Sequence, residues 1–367
     1  MENFQFAQTL LMKRQELHLT QEDIAKYVGV TRAAVSKWEK GLSYPDITLL
    51  PKLATFFNVS IDTLLGYEPQ MTKERIEQLY MEYAEKFATE PFEEVEKQLE
   101  QIKNEYYSCY PLLLKIVQLY MNYIPRAEQR EEALQNAFNL AERVRMHAPH
   151  VSLVKEATGM QSLIHLMRGN AEAVLELLGA EPDLDYGDEL VIITAHTMLG
   201  NVEMAKEISQ ISMFQKLFAF VSLSVESLQL HLDRPQFFEQ TVERIEVILN
   251  VYNIPALQPN IAFIFYFKAA SGYMMLQQQE KAIAMLEKYV DTCEKCVFPL
   301  SLKGDEYFYL LNSWIHRHGQ IMMQAPRDEQ SIKNDLVKEI ESNPVFAPLQ
   351  NEVAYQQLIE KLKRILQ

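Results

Sequence analysis

Apolar side chains recur every three or four residues along most of this chain, which is the period of an amphipathic α-helix. The stripe formed by Ile76, Leu79, Tyr83 and Phe87 is a typical example. Strict alternation of apolar and polar residues, the pattern of a half-buried strand, is scarce. Short segments that contain glycine, proline or asparagine separate the stripes. The pattern therefore predicts an all-α chain built from many helices.

The periodicity beyond residue 72 predicts a long series of helices with short connections. After the first stripe they are expected at 91–107, 110–123, 127–147, 151–168, 171–178, 188–199, 202–231, 236–252, 260–276, 279–294, 304–318, 330–341 and 351–366. Pro69 and a fresh capping residue, Thr72, mark a domain boundary after Gly66. The predicted division is a domain over 1–66, a linker over 67–71 and a helical domain over 72–367.

The segment from 20 to 41 is the most informative part of the sequence, because its spacing predicts two short helices joined by a tight turn. Thr20 and Asp23 stand three residues apart, as in a reciprocal helix cap, and Gly29 lies where the turn needs a positive φ. The apolar positions of both helices are expected to face one core: Ile24, Ala25, Val28, Val35 and Trp38. This arrangement is a helix-turn-helix.

The outward face of the second helix carries candidate DNA-binding side chains. A recognition helix enters the major groove with its N-terminus first. We therefore expect Arg32 and Lys37 to read the O6/N7 edge of guanine, and Ala33 to contact a thymine methyl group. The other predicted DNA-binding residues are the phosphate contacts Gln21, Ser36 and Lys40 and the helix cap Thr31.

Two runs in this segment closely resemble the Cro and phage-repressor type of helix-turn-helix. They are Thr-Gln-x-x-Ile-Ala-x-x-x-Gly-Val-Thr from Thr20 and Val-Ser-x-Trp-Glu-x-Gly from Val35. The resemblance implies a five-helix, lambda-repressor-like DNA-binding domain over about residues 5–66. It also implies that Arg14 of the first helix pairs with Glu39 at the end of the recognition helix, as a structural pair that does not read bases.

Charge limits where nucleic acid can bind. The 367 residues carry a net charge of −15, and residues 1–68 hold seven Lys/Arg against eight Asp/Glu, which leaves −14 for the remainder. An acidic body repels phosphates, so DNA contact is expected only on the small cationic surface of the N-terminal domain. Because that surface is small, we expect modest nonspecific affinity and a homodimer on a double-stranded DNA operator.

Composition favours a cytoplasmic protein without an active site. Three cysteines in so long a chain do not make a disulfide scaffold. Neither a signal peptide nor an apolar run of about 18 residues is recognised, so no membrane partner is expected. Cys293 and Cys296 have redox-motif spacing, but no second pair and no nearby histidines complete a zinc site. We therefore predict no catalytic centre, no metal and no cofactor.

Two stretches of the helical part repeat each other. Met167-Arg-Gly169-Asn-Ala-Glu recurs as Met198-Leu-Gly200-Asn-Val-Glu, 31 residues later, and a looser copy begins at Met275. Each copy joins the end of one predicted helix to the start of the next. Helical hairpins repeated about every 34 residues are the signature of a tetratricopeptide α-solenoid, which we favour over an irregular helical bundle.

A repressor-type helix-turn-helix followed by about 300 residues of tetratricopeptide-like helices resembles the layout of the Rgg, PlcR and PrgX regulators. That resemblance implies a homodimeric transcription factor whose helical domain binds a short secreted peptide. In such arrays the first helix of each hairpin lines a concave face, where amides pair with a peptide backbone and aromatic pockets select its side chains. The candidate peptide-binding residues are Gln161, His165, His196, Asn260, Tyr266, Tyr309 and Asn312.

Three functions remain compatible with the sequence. The first is a peptide-responsive transcription factor, and the second is a constitutive dimeric repressor whose helical domain only dimerises or binds a protein partner. The third, an enzyme with an appended DNA-binding domain, is disfavoured because the sequence offers no nucleophile or metal constellation. A bound mass of peptide size, detected by native mass spectrometry, would distinguish the first two.

Overall fold

The computed structural model describes residues 5–67, 70–182, 184–318 and 327–366, and helices are the regular secondary structure found among them. The prediction of an all-α chain is confirmed. By compactness these residues form two units, which are described separately below. The first unit contains the described residues up to Thr72 together with Glu100–Leu112, and the second contains Lys73–Leu99 and the residues from Leu113 onward.

Five short helices make up the N-terminal part of the first unit. They are α1 (Phe6–Glu16), α2 (Gln21–Val28), α3 (Arg32–Glu39), α4 (Leu50–Phe57) and α5 (Ile61–Leu65), with a 3₁₀ turn at Ile47–Leu49. Their apolar faces meet in one core, in which Phe6, Leu10, Ile24, Val35, Leu53 and Leu64 are fully buried. The helix α3 packs against both α1 and α2, so its orientation is fixed from two sides.

The remaining helices follow one another with short connections. They are α6 (Lys73–Thr89), α7 (Phe92–Glu105), α8 (Tyr110–Tyr123), α9 (Arg130–His147), α10 (Val151–Met167), α11 (Ala171–Leu178), α12 (Asp188–Met198), α13 (Val202–Leu230), α14 (Pro235–Val251), α15 (Ile254–Leu257), α16 (Pro259–Met275), α17 (Gln279–Lys295), α18 (Leu311–His318), α19 (Glu329–Glu341) and α20 (Val353–Leu366). Short 3₁₀ turns lie at Ile124–Arg126 and Pro344–Leu349. We call the helices of the second unit the helical body.

Local signals in the sequence explain how α2 and α3 begin and end. The Thr20 hydroxyl accepts a hydrogen bond from the Asp23 amide at 3.2 Å, and the Thr20 amide donates to the Asp23 carboxylate at 2.8 Å. Gly29 ends α2 with a φ of 81°, which glycine adopts without a steric penalty. The Thr31 hydroxyl then caps α3 by accepting from the Ala34 amide at 3.2 Å. These contacts form the predicted turn.

The repeated sequence stretches adopt the same turn. Gly169, Gly200 and Gln277 have positive φ values of 73°, 75° and 60°. In each turn the amide of the next residue donates to the carbonyl five positions earlier: Asn170 to His165 and Asn201 to His196 at 2.9 Å, and Gln278 to Tyr273 at 2.8 Å. The repeat is therefore a repeat of helix-ending geometry, whereas the tetratricopeptide solenoid stays a prediction.

The helical body has a large apolar core between α13 and α20. Consecutive helices pack in pairs, and α16 with α17 is the most extensive pair. Many aromatic side chains in this core are almost fully buried, including Phe238, Phe263, Phe265, Tyr289, Phe308 and Phe346.

One predicted helix is wrong in its first half. The sequence pattern places a helix over 304–318, but the chain is irregular until Leu311. The Asp305 carboxylate accepts hydrogen bonds from the amides of Tyr307 and Phe308, at 3.0 and 2.8 Å, and holds this stretch in a turn. A short side chain that bonds its own backbone competes with helix formation, which explains the difference.

One described helix, α13, is long and apolar enough to satisfy a length-and-composition test for a membrane span, with 22% of the tested window buried. No apolar stretch of this length was expected from the sequence. A core helix satisfies the same test, and Val221, Val225 and Leu228 of α13 are buried in the core of the helical body.

The reciprocal cap formed by Thr20 and Asp23 makes the stability of the N-terminal helices depend on pH. Hydrogen bonds from the Thr20 hydroxyl and amide lower the pKa of the Asp23 carboxyl. A lowered pKa in the folded state adds stability above the unfolded pKa, and this stability is lost as pH falls through the folded-state pKa. We expect Asp23→Ala to lower the unfolding midpoint at pH 7, by a difference that shrinks below about pH 4.

Trp38 fluorescence measures this effect in a Trp314→Phe background, where Trp38 is the remaining tryptophan. Glu22→Ala is the matched control, because Glu22 is an exposed acid in the same helical turn. If the unfolding midpoints of Asp23→Ala and its parent differ as much at pH 3 as at pH 7, the stabilising role of the Asp23 carboxylate is contradicted.

Candidate nucleic-acid interface

The helix α3 separates a packing face from a presented face. Val35 is fully buried and Trp38 is 4% exposed, so both anchor the helix in the core. Arg32, Ala33 and Lys37 are exposed on the other side. The structure therefore brings the predicted base-reading residues together on one accessible surface, beginning at the first residue of the helix.

The other predicted DNA-binding residues surround this surface. Thr31 and Lys40 are exposed at the two ends of α3, and Ser36 is half-buried in its middle. Gln21 is half-buried at the first position of α2. A helix that begins beside the groove offers its free backbone amides and its dipole to phosphate groups.

A partly buried hydrogen-bond network holds the C-terminal end of α3. Glu39, whose side chain is 5% exposed, accepts from Nε of Arg14 at 2.5 Å and from its terminal nitrogen at 3.2 Å. The other terminal nitrogen of Arg14 donates to the Leu19 carbonyl at 3.0 Å. The hydrogen bond to Glu39 raises the pKa of Arg14 above its ordinary value, against the lowering effect of burial. The structure thus joins the pair named from sequence and leaves little of the Glu39 carboxylate exposed.

Gln21 has a contact that the sequence did not indicate. Its side-chain nitrogen donates to the second Glu39 oxygen at 2.8 Å, so α1, α2 and α3 meet at one carboxylate. The partners are 18 residues apart, and no local spacing rule connects them. An amide group has two N–H donors, which leaves one for a phosphate.

The presented face has cations that are available to a ligand. Arg32, Lys37 and Lys40 form no ion pair with any residue in the described part of the chain. In contrast, the acids nearby are engaged, Glu39 with Arg14 and Asp23 with Thr20. A nearly neutral unit therefore presents positive charge on one side, which is the electrostatic footprint of phosphate binding.

The predicted peptide-binding residues lie on several helices of the body. Gln161 and His165 are one turn apart on α10, His196 is on α12, and Asn260 and Tyr266 are on α16. Tyr309 is in the irregular stretch before α18, and Asn312 of α18 accepts a hydrogen bond from the Gly304 amide at 2.8 Å. No hydrogen bond connects any two of the seven within the described ranges.

The cysteine pair offers little for chemistry. Burial raises the pKa of the Cys296 thiol to about 11 and also raises that of Cys293, which keeps both thiols protonated near neutral pH. Across the described residues, no group of three or more His, Cys, Asp or Glu side chains is placed to hold a metal ion.

The N-terminal geometry has relatives among known proteins. A family model described as helix-turn-helix matches residues 10–64. The HTH-type transcriptional activator BcrR of Enterococcus faecalis is 41% identical over 68 residues, which cover 18% of this chain and 33% of that protein. An uncharacterized HTH-type transcriptional regulator of Methanocaldococcus jannaschii is 45% identical over 51 residues, which cover 14% of this chain and 77% of that protein. The chain thus spans about a third of the length of the activator.

Among solved structures, the chain is similar to the apo form of the competence regulator ComR from Streptococcus vestibularis. The two are 13% identical with a TM-score of 0.26, and the match covers 86% of this chain and 99% of that chain. The apo form of ComR from S. thermophilus gives a TM-score of 0.20 over 79% of this chain and 94% of that chain. Likenesses of this size carry no functional argument.

Breaking the Glu39 network should destabilise the N-terminal helices while the helical body stays folded. Glu39→Ala leaves the Arg14 guanidinium without its carboxylate, and we expect the free energy of unfolding to fall by about 2–3 kcal/mol. In the Trp314→Phe background, Trp38 fluorescence follows this unit, and hydrogen exchange of α16 and α17 follows the body. Glu22→Ala, an exposed acid outside the network, is the control. A Glu39→Ala variant that melts like wild type yet fails to bind DNA would instead place Glu39 in the interface.

Proposed function

This chain belongs to the helix-turn-helix family of transcriptional regulators, and we propose that it is a cytoplasmic homodimer that reads a DNA operator under the control of a short peptide. DNA binding is the property of the family, and the presented face of α3 is the observation that carries sequence reading. Peptide control is supported by unpartnered polar atoms inside the helical body. The regulated step is initiation of transcription at genes next to the operator.

The base-reading role belongs to the first turns of α3. Arg32 begins the helix, is exposed, and carries a forked donor that fits the two acceptors of guanine in the major groove. Lys37 lies further along the same helix and reaches a neighbouring base pair. Ser36, Lys40 and Gln21 contact phosphates at the edges of the groove and set the register of the helix, which Thr31 caps.

Two copies are required for a useful affinity. One N-terminal unit offers Arg32, Lys37 and Lys40 as its presented cations, and the chain as a whole is strongly acidic. Each phosphate contact adds an increment of electrostatic affinity, so doubling the contacts raises affinity steeply. Two recognition helices one DNA turn apart then read two half-sites of a palindromic operator.

Polar atoms buried without a partner support peptide binding. Gln161 is 1% exposed, and neither its amide nitrogen nor its oxygen has a hydrogen-bond partner within the described residues. Nδ1 of His165 and Nδ1 of His196 are buried and unpartnered in the same way. A buried polar group without a partner costs about 1–3 kcal/mol, so a ligand that supplies donors and acceptors is favoured there. A peptide backbone supplies both.

The two histidines occupy equivalent places in the repeated turn. Each lies four residues before the left-handed glycine, Gly169 or Gly200, and its carbonyl accepts from the asparagine amide of the turn. Gln161 precedes His165 by one helical turn, so the two share a face of α10. Repetition of polar groups from hairpin to hairpin suits a ligand that is itself a repeating chain.

If Arg32 reads a base, its removal should lower the affinity for the operator more than the affinity for random DNA. Arg32→Ala should weaken binding to a selected operator by about 1–3 kcal/mol and leave binding to random DNA nearly unchanged. Lys40→Ala should weaken both to a similar degree and reduce the salt dependence by about one phosphate contact. Titration of the full chain on selected and random duplexes at several salt concentrations measures both effects.

Lys52→Ala serves as the matched control, since Lys52 is an exposed cation on α4 outside the predicted set. An equal loss on selected and random DNA for Arg32→Ala would make Arg32 a phosphate contact.

If a peptide binds at Gln161, removing the amide group should abolish the response to peptide without lowering the stability of the free protein. Gln161→Leu keeps the side-chain size and removes an unpartnered amide, so the melting temperature of the free protein should stay equal or rise. The small-peptide fraction of the organism's own spent medium should raise the melting temperature of wild type and change its operator affinity. Both responses should be lost in Gln161→Leu, as read by thermal shift and by operator titration of the full chain.

Gln330→Leu is the control, because Gln330 is exposed on α19 and hydrogen-bonds only its neighbour Asn334 in the described structure. If wild type shows neither a thermal shift nor a change in operator affinity with these fractions, the constitutive repressor replaces the peptide receptor.

A further inference from the structure

The helix α12 turns its less apolar side toward its neighbour. It packs against α13, and none of its residues is buried. Its least exposed residues, Glu189, Ile193 and His196, share one face by their i, i+4, i+7 spacing. Lys216 of α13 approaches Glu189 to 3.3 Å, which identifies that face as the one next to α13.

The side of α12 opposite this face, and its two flanks, are apolar and open to solvent. Its exposed side chains are Leu190 at 69%, Val191 at 69%, Met198 at 83% and Leu199 at 74%. An amphipathic helix of a folded protein buries its apolar stripe and leaves its polar side to water. Among the described residues this helix does the reverse, and none of them covers its outer side.

The loop before α12 and the neighbouring helix α13 also expose apolar side chains. The Asp185 carboxylate lies 2.5 Å from Lys216 Nζ, which holds the loop against α13. The neighbouring Tyr186 is 83% exposed, and Leu223 of α13 is 71% exposed. We define the α12–α13 apolar face as Leu184, Tyr186, Leu190, Val191, Met198, Leu199, Phe220 and Leu223, each of which is at least half exposed.

The size of this face matches one side of a dimer interface. Covering a large apolar side chain removes on the order of 100 Å² of its surface from water. At about 25 cal/mol per Å², each such burial contributes a few kcal/mol. Eight such side chains offer roughly 800 Å², which is what one partner contributes to a standard stable interface. The largest apolar patch on an ordinary monomer is about 300–600 Å². The α12–α13 apolar face therefore exceeds what a solitary chain exposes.

Charge favours a second copy as the occupant. The chain has a net charge of −15, so two copies repel each other wherever their acidic surfaces meet. The stretch from Leu190 to Val202 contains no Asp, Glu, Lys or Arg. Two such stretches can approach across a two-fold axis without placing like charges opposite each other, and an apolar surface is complementary to itself.

We propose that two copies of this chain pair through the α12–α13 apolar face. The inference rests on the homodimer of the proposed function and adds the surface that forms it. The helix α12 of one copy lies against α12 of the other, with Thr194 near the two-fold axis, because Thr194 is exposed midway between Leu190 and Met198.

Charge substitution tests the face in the full chain. Val191→Glu with Met198→Glu should shift the mass in light scattering from a dimer of about 85 kDa, twice 42.7 kDa, to the monomer. The dissociation constant measured by sedimentation should rise by about 100-fold, because charged groups are costly in a dry contact. Both positions are exposed, so far-ultraviolet circular dichroism should stay that of wild type. Val247→Glu with Val251→Glu on α14, at 61% and 72% exposed, is the matched control and should remain dimeric.

Cross-linking tests the geometry independently. Thr194→Cys should give a covalent dimer with a short bismaleimide, whereas wild type should not, since Cys109 and Cys293 are buried and Cys296 is half-buried. A dimeric wild type whose Val191→Glu/Met198→Glu variant stays dimeric overturns this face and leaves the homodimer intact. A wild type that is monomeric even on operator DNA overturns both the face and the homodimer. A charged variant that stays dimeric and loses the thermal shift with spent-medium peptides also overturns the inference and assigns the face to the peptide.

Discussion

Left-handed backbone at the ends of helices is the constraint on which both units depend. A residue with positive φ at the end of a helix redirects the chain, so that the next helix can pack beside the first. Gly29 does this between the two helices of the DNA-binding motif, and Gly169 and Gly200 do it in the helical body. Gln277 and Asn58 adopt the same backbone at a conformational cost that their surroundings must offset. These residues set the direction in which the chain leaves several of its helices.

The position of α3 is set by contacts inside the N-terminal unit. One carboxylate, Glu39, receives hydrogen bonds from Arg14 on α1 and Gln21 on α2. The end of the recognition helix is therefore tied to both neighbours, and the side chains near its start project from a fixed frame. A side chain in such a frame loses little further freedom on binding, which sharpens discrimination between bases.

Local rules explain how much the sequence could predict. The caps at Thr20 and Thr31 and the turn at Gly29 involve partners within four residues, so spacing alone was enough to place them. Apolar periodicity likewise located nearly every helix, since its period is a property of the helix itself. The same reasoning failed at Asp305, where a side chain bonds its own backbone and prevents a helix that the apolar pattern favours.

Nonlocal contacts were beyond these rules. Gln21 meets Glu39 only because three helices converge, and neither residue type signals the other. The sequence also could not predict the burial of α12. Periodicity detects an apolar side of a helix, but it does not show whether another element covers that side. The unpartnered atoms of Gln161 are a further case, since an amide in an apolar helix looks the same in sequence whether it is paired or not.

The length of α13 has a mechanical consequence. Its first half packs against α12, and its second half is fixed in the core of the body through Val221, Val225 and Leu228. At 1.5 Å per residue, its 29 residues form a rod of about 44 Å without a joint. The rod is held along its length, because Gln210 in its first half exchanges hydrogen bonds with the backbone of Tyr307 and Leu310. The helix α12 therefore rests on a support that is continuous with the core of the body.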